Sequence, residues 1–277
     1  MSQQTVPADL PSHLQHYIGG QFVDSLDGET FGVLNPVDND VYIQASSGKK
    51  ADVWAAVAAA KDAFENGPWP TMLPRERSRI LHKIADVIES RENQLAEMEC
   101  FDTGLPIKQA LGQARRAAEN FRFFADLIVA QHDDTFKVPG RQVNYVNRKP
   151  KGVAGLITPW NTPFMLESWK LAPAIATGNT VVLKPAEFTP LSASLWPGIF
   201  EEAGLPAGEQ PLTLLIRLLV VALQLVQQLV LALQPRLLGA QGRGQSGQLA
   251  AKLLPLILSV QILLAGLLPR QPLLATK

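Results

Sequence analysis

Two short clusters in this chain carry side chains suited to chemistry: Pro159-Trp160-Asn161 and Lys184-Pro185-Ala186-Glu187. The first offers a carboxamide, which donates N–H without bringing a charge. The second offers an ammonium with three donors and then a carboxylate able to accept from neighbouring hydroxyls. Each cluster closes a short apolar run, GVAGLI (152–157) and TVVLK (180–184). Ligands of open α/β sheets gather beyond the carboxyl ends of parallel strands. If the two runs are such strands, both clusters stand on the ligand side of one sheet.

The residues between and around them are consistent with that. Pro163 to Ala176 places Phe164, Leu171 and Ile175 at helical spacing, and Gly178 follows as a C-terminal cap. The runs are continuously apolar, as in strands buried on both faces, and Pro159 and Pro185 end them. Strand, helix and strand in this order predict a right-handed βαβ unit. Upstream, Tyr17–Phe22 and Thr30–Pro36 read as short strands around the turn signal Asp27-Gly28. Ala51 to Asn66 reads as a helix with Val53, Ala56, Val57 and Ala60 on one face. Pro74 opens a second helix, where its missing N–H is harmless, and Ile80, Ile84, Val87 and Ile88 form its stripe. Lys108 to Ala130 reads as a third, with Ala114, Ala117, Phe121, Phe124 and Ile128 inward. Val143–Val146 reads as a strand, and the polar segment 1–16, with His13 and His16, as a flexible leader.

The same residues carry a family resemblance. PWN, followed by WKLAPAIATGNTVVLKPAE, resembles the cofactor-binding core of the NAD(P)-dependent aldehyde dehydrogenases. The likeness runs from Tyr17 to Gly208 through DTGLPI, NYVNRKPKGV and EEAGLPAG. The runs MECFDTGLPI, NFRFFAD, NYVNRKP and PWNTPFM are most similar to the semialdehyde dehydrogenases of aromatic catabolism, such as that acting on 5-carboxymethyl-2-hydroxymuconate semialdehyde. The resemblance implies an α/β fold: an incomplete Rossmann-like NAD-binding domain of aldehyde dehydrogenase type, with N-terminal helices and oligomerisation-arm strands. Residues 17–210 would form this partial domain, with the NAD-binding core at 152–208. The strand at 143–146 matches an arm that packs on a neighbouring subunit, which implies a homo-oligomer in complete members.

The resemblance also implies roles. The family oxidises an aldehyde to a carboxylate with a cysteine nucleophile, an oxyanion donor, a nicotinamide hydride acceptor and a glutamate general base. Asn161 matches the oxyanion donor; its alternative is to cap the following helix. Lys184 and Glu187 match the positions that hold the adenosine ribose, and Glu187 would repel a 2′-phosphate and so favour NAD over NADP. Their alternative is an ion pair in a loop. Ile157, Thr158, Pro159 and Trp160 would line the groove near the cofactor, with plain packing as the alternative for Trp160. Cys100, the only cysteine, stands in the wrong half of the pattern for the nucleophile and reads as a small buried hydrophobe. No cysteine follows it, and no acid follows Glu209. The nucleophile and the general base are therefore both missing from the 277 residues. A catalytically inactive chain with at most weak nucleotide binding is the competing expectation.

Composition changes abruptly after Gln210. Residues 211–277 hold 23 leucines and no Asp, Glu, Asn, His, Cys, Phe, Tyr, Trp or Met. Natural domains seldom lose so many residue types at one boundary. A GC-rich gene read out of frame would give this alphabet, so the segment reads as a Leu-rich, low-complexity tail. Gly-rich GAQGRGQSG (239–247) reads as linker. Leu212–Leu233 is long enough to cross a bilayer, but Arg217 and three glutamines oppose insertion, so a membrane role through the tail is the least favoured reading. The tail has six basic residues and no acid, which leaves 19 basic against 25 acidic groups in residues 1–210, a net charge of −6. Such an acidic surface gives no nucleic-acid footprint. One cysteine excludes an internal disulfide framework and agrees with a reducing cytoplasm. No secretory signal is expected at the N-terminus. The four histidines show no metal-ligand grouping, so no metal is expected.

Overall fold

The computed structural model describes residues 6–205 and 212–216. Five short strands come first: β1 (His13–Leu14), β2 (His16–Ile18), β3 (Gln21–Val23), β4 (Thr30–Leu34) and β5 (Val41–Ser46). Two sequence expectations change here. The expected strand 17–22 is a hairpin, because Gly19 and Gly20 both take positive φ and reverse the chain between β2 and β3. Within the expected leader, His13–Leu14 and His16 belong to β1 and β2, and both histidines find partners. His13 Nε2 lies 3.2 Å from Ser46 Oγ and 3.3 Å from Asp24 Oδ1. His16 is fully buried, and its Nδ1 accepts from the Ile216 N–H at 3.1 Å. Burial holds its imidazole below the usual histidine range.

Four helices follow: α1 (Lys50–Glu65), α2 (Pro74–Ser90), α3 (Glu92–Thr103) and α4 (Ile107–Ala130). Pro74 occupies the first turn of α2, and Leu81, Ile84, Val87 and Ile88 form its buried stripe, with Ile80 half-buried. Ala114, Ala117, Phe121 and Ile128 of α4 face the same core, and small alanines let the two helices approach closely. Asp52 anchors the start of α1 by accepting from Leu26 N at 2.8 Å and Lys49 N at 2.7 Å.

Next comes a hairpin of β6 (Thr135–Val138) and β7 (Gln142–Tyr145), with Phe136, Val143 and Tyr145 exposed. The βαβ unit comes after it: β8 (Val153–Ile157), α5 (Pro163–Ala176) and β9 (Thr180–Lys184), with β8 parallel to β9. A short α6 (Trp196–Glu202) precedes β10 (Leu212–Leu214). The sheet order is β3-β2-β10-β9-β8, with β10 parallel to β9 and antiparallel to β2.

This topology corrects two further expectations. Among the described residues the parallel strands number three, not the two of the βαβ unit alone, because the first residues assigned to the tail form β10 and enter the sheet centre. Leu212, Leu214, Leu215 and Ile216 are all buried. Residues 217–277, including the linker reading at 239–247 and most of the proposed membrane stretch, lie outside the described residues. β8 is not buried on both faces. Among the described residues it is an edge strand, and its alternate positions Gly155 and Ile157 lie on an open face, Ile157 being 63% exposed.

The end of α5 is pinned by the helical layer. Trp69 Nε1 donates to Ile175 O at 3.0 Å, and Arg77 Nε donates to Ala176 O at 3.0 Å. These contacts satisfy carbonyls that a helix end leaves open. Gly178 reverses the chain with φ +86°, and a Cβ there would meet Pro150 Cγ at 2.8 Å. Gly178→Ala is expected to destabilise the fold by about 1–3 kcal/mol, from left-handed backbone strain plus overpacking. Urea unfolding checks this: an unchanged midpoint would show that the turn relaxes freely.

Candidate functional site

The two chemical clusters meet because β8 and β9 run in parallel register. Ile157 pairs with Lys184, and Thr158 N donates to Lys184 O at 3.1 Å. Beyond Ile157 the chain passes through Thr158, Pro159, Trp160 and Asn161 to the N-terminus of α5. Thr158 is buried, and its hydroxyl has no hydrogen-bond partner among the described residues. Trp160 is 57% exposed, so packing does not account for it. Asn161 is exposed and does not cap α5: the cap position belongs to Thr162. Its carboxamide stands just before the first turn of the helix, where the N-terminal dipole favours negative charge.

At the end of β9, Lys184 Nζ lies 3.1 Å from Glu187 Oε2. The side chains are only 7% and 16% exposed, so this is not a solvated surface pair. Trp160, Glu187, Phe188 and Thr189 share a cleft of about 510 Å³ with β4 and the end of α3. Its far wall is Phe31 to Pro36, with Asp102 and Thr103 below. Thr189 Oγ1 donates to Trp160 O at 3.1 Å and so ties the two cluster loops together.

Asp102 is almost fully buried. Its Oδ1 accepts from Tyr42 O–H at 2.5 Å and its Oδ2 from Leu191 N at 2.8 Å. Two more buried carboxyls, Glu99 and Glu167, lie close enough to raise proton affinity within the group. Burial is the main cause at each: it pushes Glu99 up to about 8, Asp102 up to about 7 and Glu167 well above the carboxylate range. Among the described residues no cation enters the balance at any of the three. Trp196 Nε1 donates to Glu167 Oε2 at 2.7 Å, and the Phe164 backbone offsets the burial of Glu99 only in part.

Cys100 is half-buried near the end of α3. It lines a different cleft, with Val6, Pro7, Ala8, Glu97, Phe101 and Ile107, and burial pushes its thiol up, away from the thiolate. Among the described residues no group of three or more His, Cys, Asp or Glu could hold a metal ion. No helix among them is long and apolar enough to cross a membrane.

A profile of the aldehyde dehydrogenase family matches residues 22–212, well over half of the chain. The chain belongs to the aldehyde dehydrogenase family. It is 43% identical to 2-hydroxymuconic semialdehyde dehydrogenase of Pseudomonas sp. (strain CF600), over 70% of this chain and 41% of that protein. It is 42% identical to the mitochondrial aldehyde dehydrogenase family 2 member B4 of Arabidopsis thaliana, over 73% and 38%. Among solved structures, HpcC from Thermus thermophilus superposes with a TM-score of 0.69 at 43% identity, covering 75% of this chain and 39% of that one. The NAD+ complex of betaine aldehyde dehydrogenase from Staphylococcus aureus gives 0.71 at 32% identity, covering 76% and 42%. The chain thus spans less than half the length of each of these relatives.

Sequence reasoning did not find the far wall of the cleft in this aldehyde dehydrogenase chain. Phe31–Pro36 read as a plain strand, and Asp102 and Thr189 as parts of longer matches. DTGLPI held the one available signal: a carboxylate two residues before a helix-ending glycine.

Proposed function

We propose that this chain carries the adenosine side of an NAD site and the oxyanion donor of an aldehyde dehydrogenase, and that its 277 residues do not themselves oxidise aldehydes. The observation that carries the reading is the parallel register of β8 and β9. It puts a carboxamide at a helix N-terminus and a shielded ammonium–carboxylate pair at the ends of adjacent strands. Lys184 and Glu187 fit a ribose, since the ammonium donates to and the carboxylate accepts from its hydroxyls. Ile157, Pro159 and Trp160 offer exposed apolar surface, with Thr158 buried behind them. When bound, NAD would supply a hydride acceptor. In a complete protein, Asn161 would donate to the oxyanion formed from an aldehyde, with semialdehydes as the favoured class from the relatives. The exposed β6–β7 hairpin is the surface on which such a protein would form a homo-oligomer, and a cytoplasmic location fits a sequence with one cysteine.

Binding measurements test this. AMP and NAD are expected to bind with similar, weak affinity, because contacts to the nicotinamide half are not among the residues named. Glu187→Ala should weaken both by roughly tenfold, the usual scale for one charged hydrogen bond. Calorimetry would refute the assignment if NAD bound tightly and survived Glu187→Ala unchanged.

A further inference from the structure

The loop from Pro185 to Leu191 carries Glu187; Ala186, Thr189 and Leu191 pack it against the core, but few of its backbone groups are hydrogen-bonded among the described residues. Two of its residues, Pro185 and Pro190, have no N–H to give. Inside the loop only Thr189 N reaches a carbonyl, Ala186 O, at a long 3.3 Å. Ser194 Oγ donates to Leu191 O at 2.7 Å at its end, and two further side-chain bonds reach it from distant segments. Thr189 Oγ1 reaches Trp160 O, and the Leu191 N–H reaches the Asp102 carboxylate, 89 residues earlier in the chain. Asp102 is itself fixed by Tyr42 O–H, on β5. A carboxylate bonded on both oxygens, and nearly sealed from water, holds its partner more rigidly than a surface contact would.

We propose that Asp102 is a positioning residue for the nucleotide site: by holding Leu191 it sets the loop that presents Glu187 to the ribose. The proposal rests on the nucleotide reading of Lys184 and Glu187. Asp102 touches no ligand in this account and acts only through the loop.

Substitution at one atom separates this role from general support of the core. Asp102→Asn keeps an oxygen for Leu191 N, and its amide can donate to the Tyr42 hydroxyl, which accepts as readily as it donates. Asp102→Ala removes the acceptor. Asp102→Ser, small and polar, removes it too but leaves room for water beside Tyr42, which covers the case in which the alanine variant does not fold. Hydrogen exchange at the 185–191 peptide and AMP binding by calorimetry are measured on the full chain.

The expected result is about tenfold faster exchange and about tenfold weaker AMP binding in the alanine or serine variant, with both restored in Asp102→Asn. Faster exchange with unchanged AMP affinity would overturn the proposal. So would an asparagine variant as impaired as the alanine one, which would mark Asp102 as a merely structural charge. If the unaltered chain binds neither AMP nor NAD, the nucleotide reading fails and the positioning role falls with it. That outcome is distinct, because it appears before any substitution is made.

Discussion

Mixed with NAD and a panel of aldehydes and semialdehydes, the 277-residue chain is expected to produce no NADH above the buffer blank. Thioester chemistry needs a thiolate close to the oxyanion donor and a carboxylate able to activate water. The only thiol, Cys100, lines a cleft that shares no residue with the one holding Trp160 and Glu187. Its burial also favours the thiol over the thiolate. Removing the nucleophile of a covalent enzyme costs on the order of 10⁶ in turnover, so the predicted loss is effectively complete. Nicotinamide absorbance reads the outcome, with Cys100→Ala as the control. Turnover that disappears in that variant would make Cys100 the nucleophile and reverse the assignment.

A second large effect is expected from pH. Glu99 and Asp102 bind protons more tightly in the folded chain, at about 8 and about 7, than carboxyls do when unfolded. In the unfolded chain they titrate near the ordinary 4.5 and 3.8. Between those limits the folded state holds protons that the unfolded state has released. Their stabilising contribution is therefore complete at or below about pH 4 and is lost as pH rises toward 8. About three pH units on one group correspond to about 4 kcal/mol. Urea midpoints measured from about pH 6.5, above which buried His16 no longer opposes the trend, to about pH 8.5 should fall steadily. In Glu99→Gln the slope should flatten, because the amide is neutral throughout. A midpoint that rises across this range would mean that the carboxyls are ionised and paired with a cation.

Local chemistry was legible, and tertiary company was not. The bounds of α5 follow from Pro163, the apolar spacing and Gly178. Those of α2 follow from Pro74 and its stripe. The strand ends beside Asn161 and Lys184 could be placed because the turn-forming prolines sit next to them. β10 was hidden because its Leu-Thr-Leu-Leu-Ile lies in a segment where nearly every window is leucine-rich, so no window stands out as a strand. β5 was missed because Val41–Ser46 mixes exposed and buried positions without clean alternation. The order of His13 and His16 came from partners far along the chain, Ser46 and Ile216. The bond between Tyr42 and Asp102 likewise joins residues 60 positions apart, and no local pattern signals it.

The placement of β10 between β9 and β2 sets a timetable for folding. β2 is among the first segments made, but its partner on that side is separated from it by almost the entire described chain. His16 and Ile216, which close this seam, are 200 residues apart. At synthesis rates of about 5–20 residues per second, β2 waits roughly 10–40 seconds for β10 to emerge. The helices and the β2–β3 hairpin need only microseconds. For most of that interval β2 is open alone, and β9, made only shortly before β10, adds a second open edge for roughly its last 1.5–6 seconds. The order of manufacture, more than the strength of any contact, then decides how long these edges are free to pair with something else.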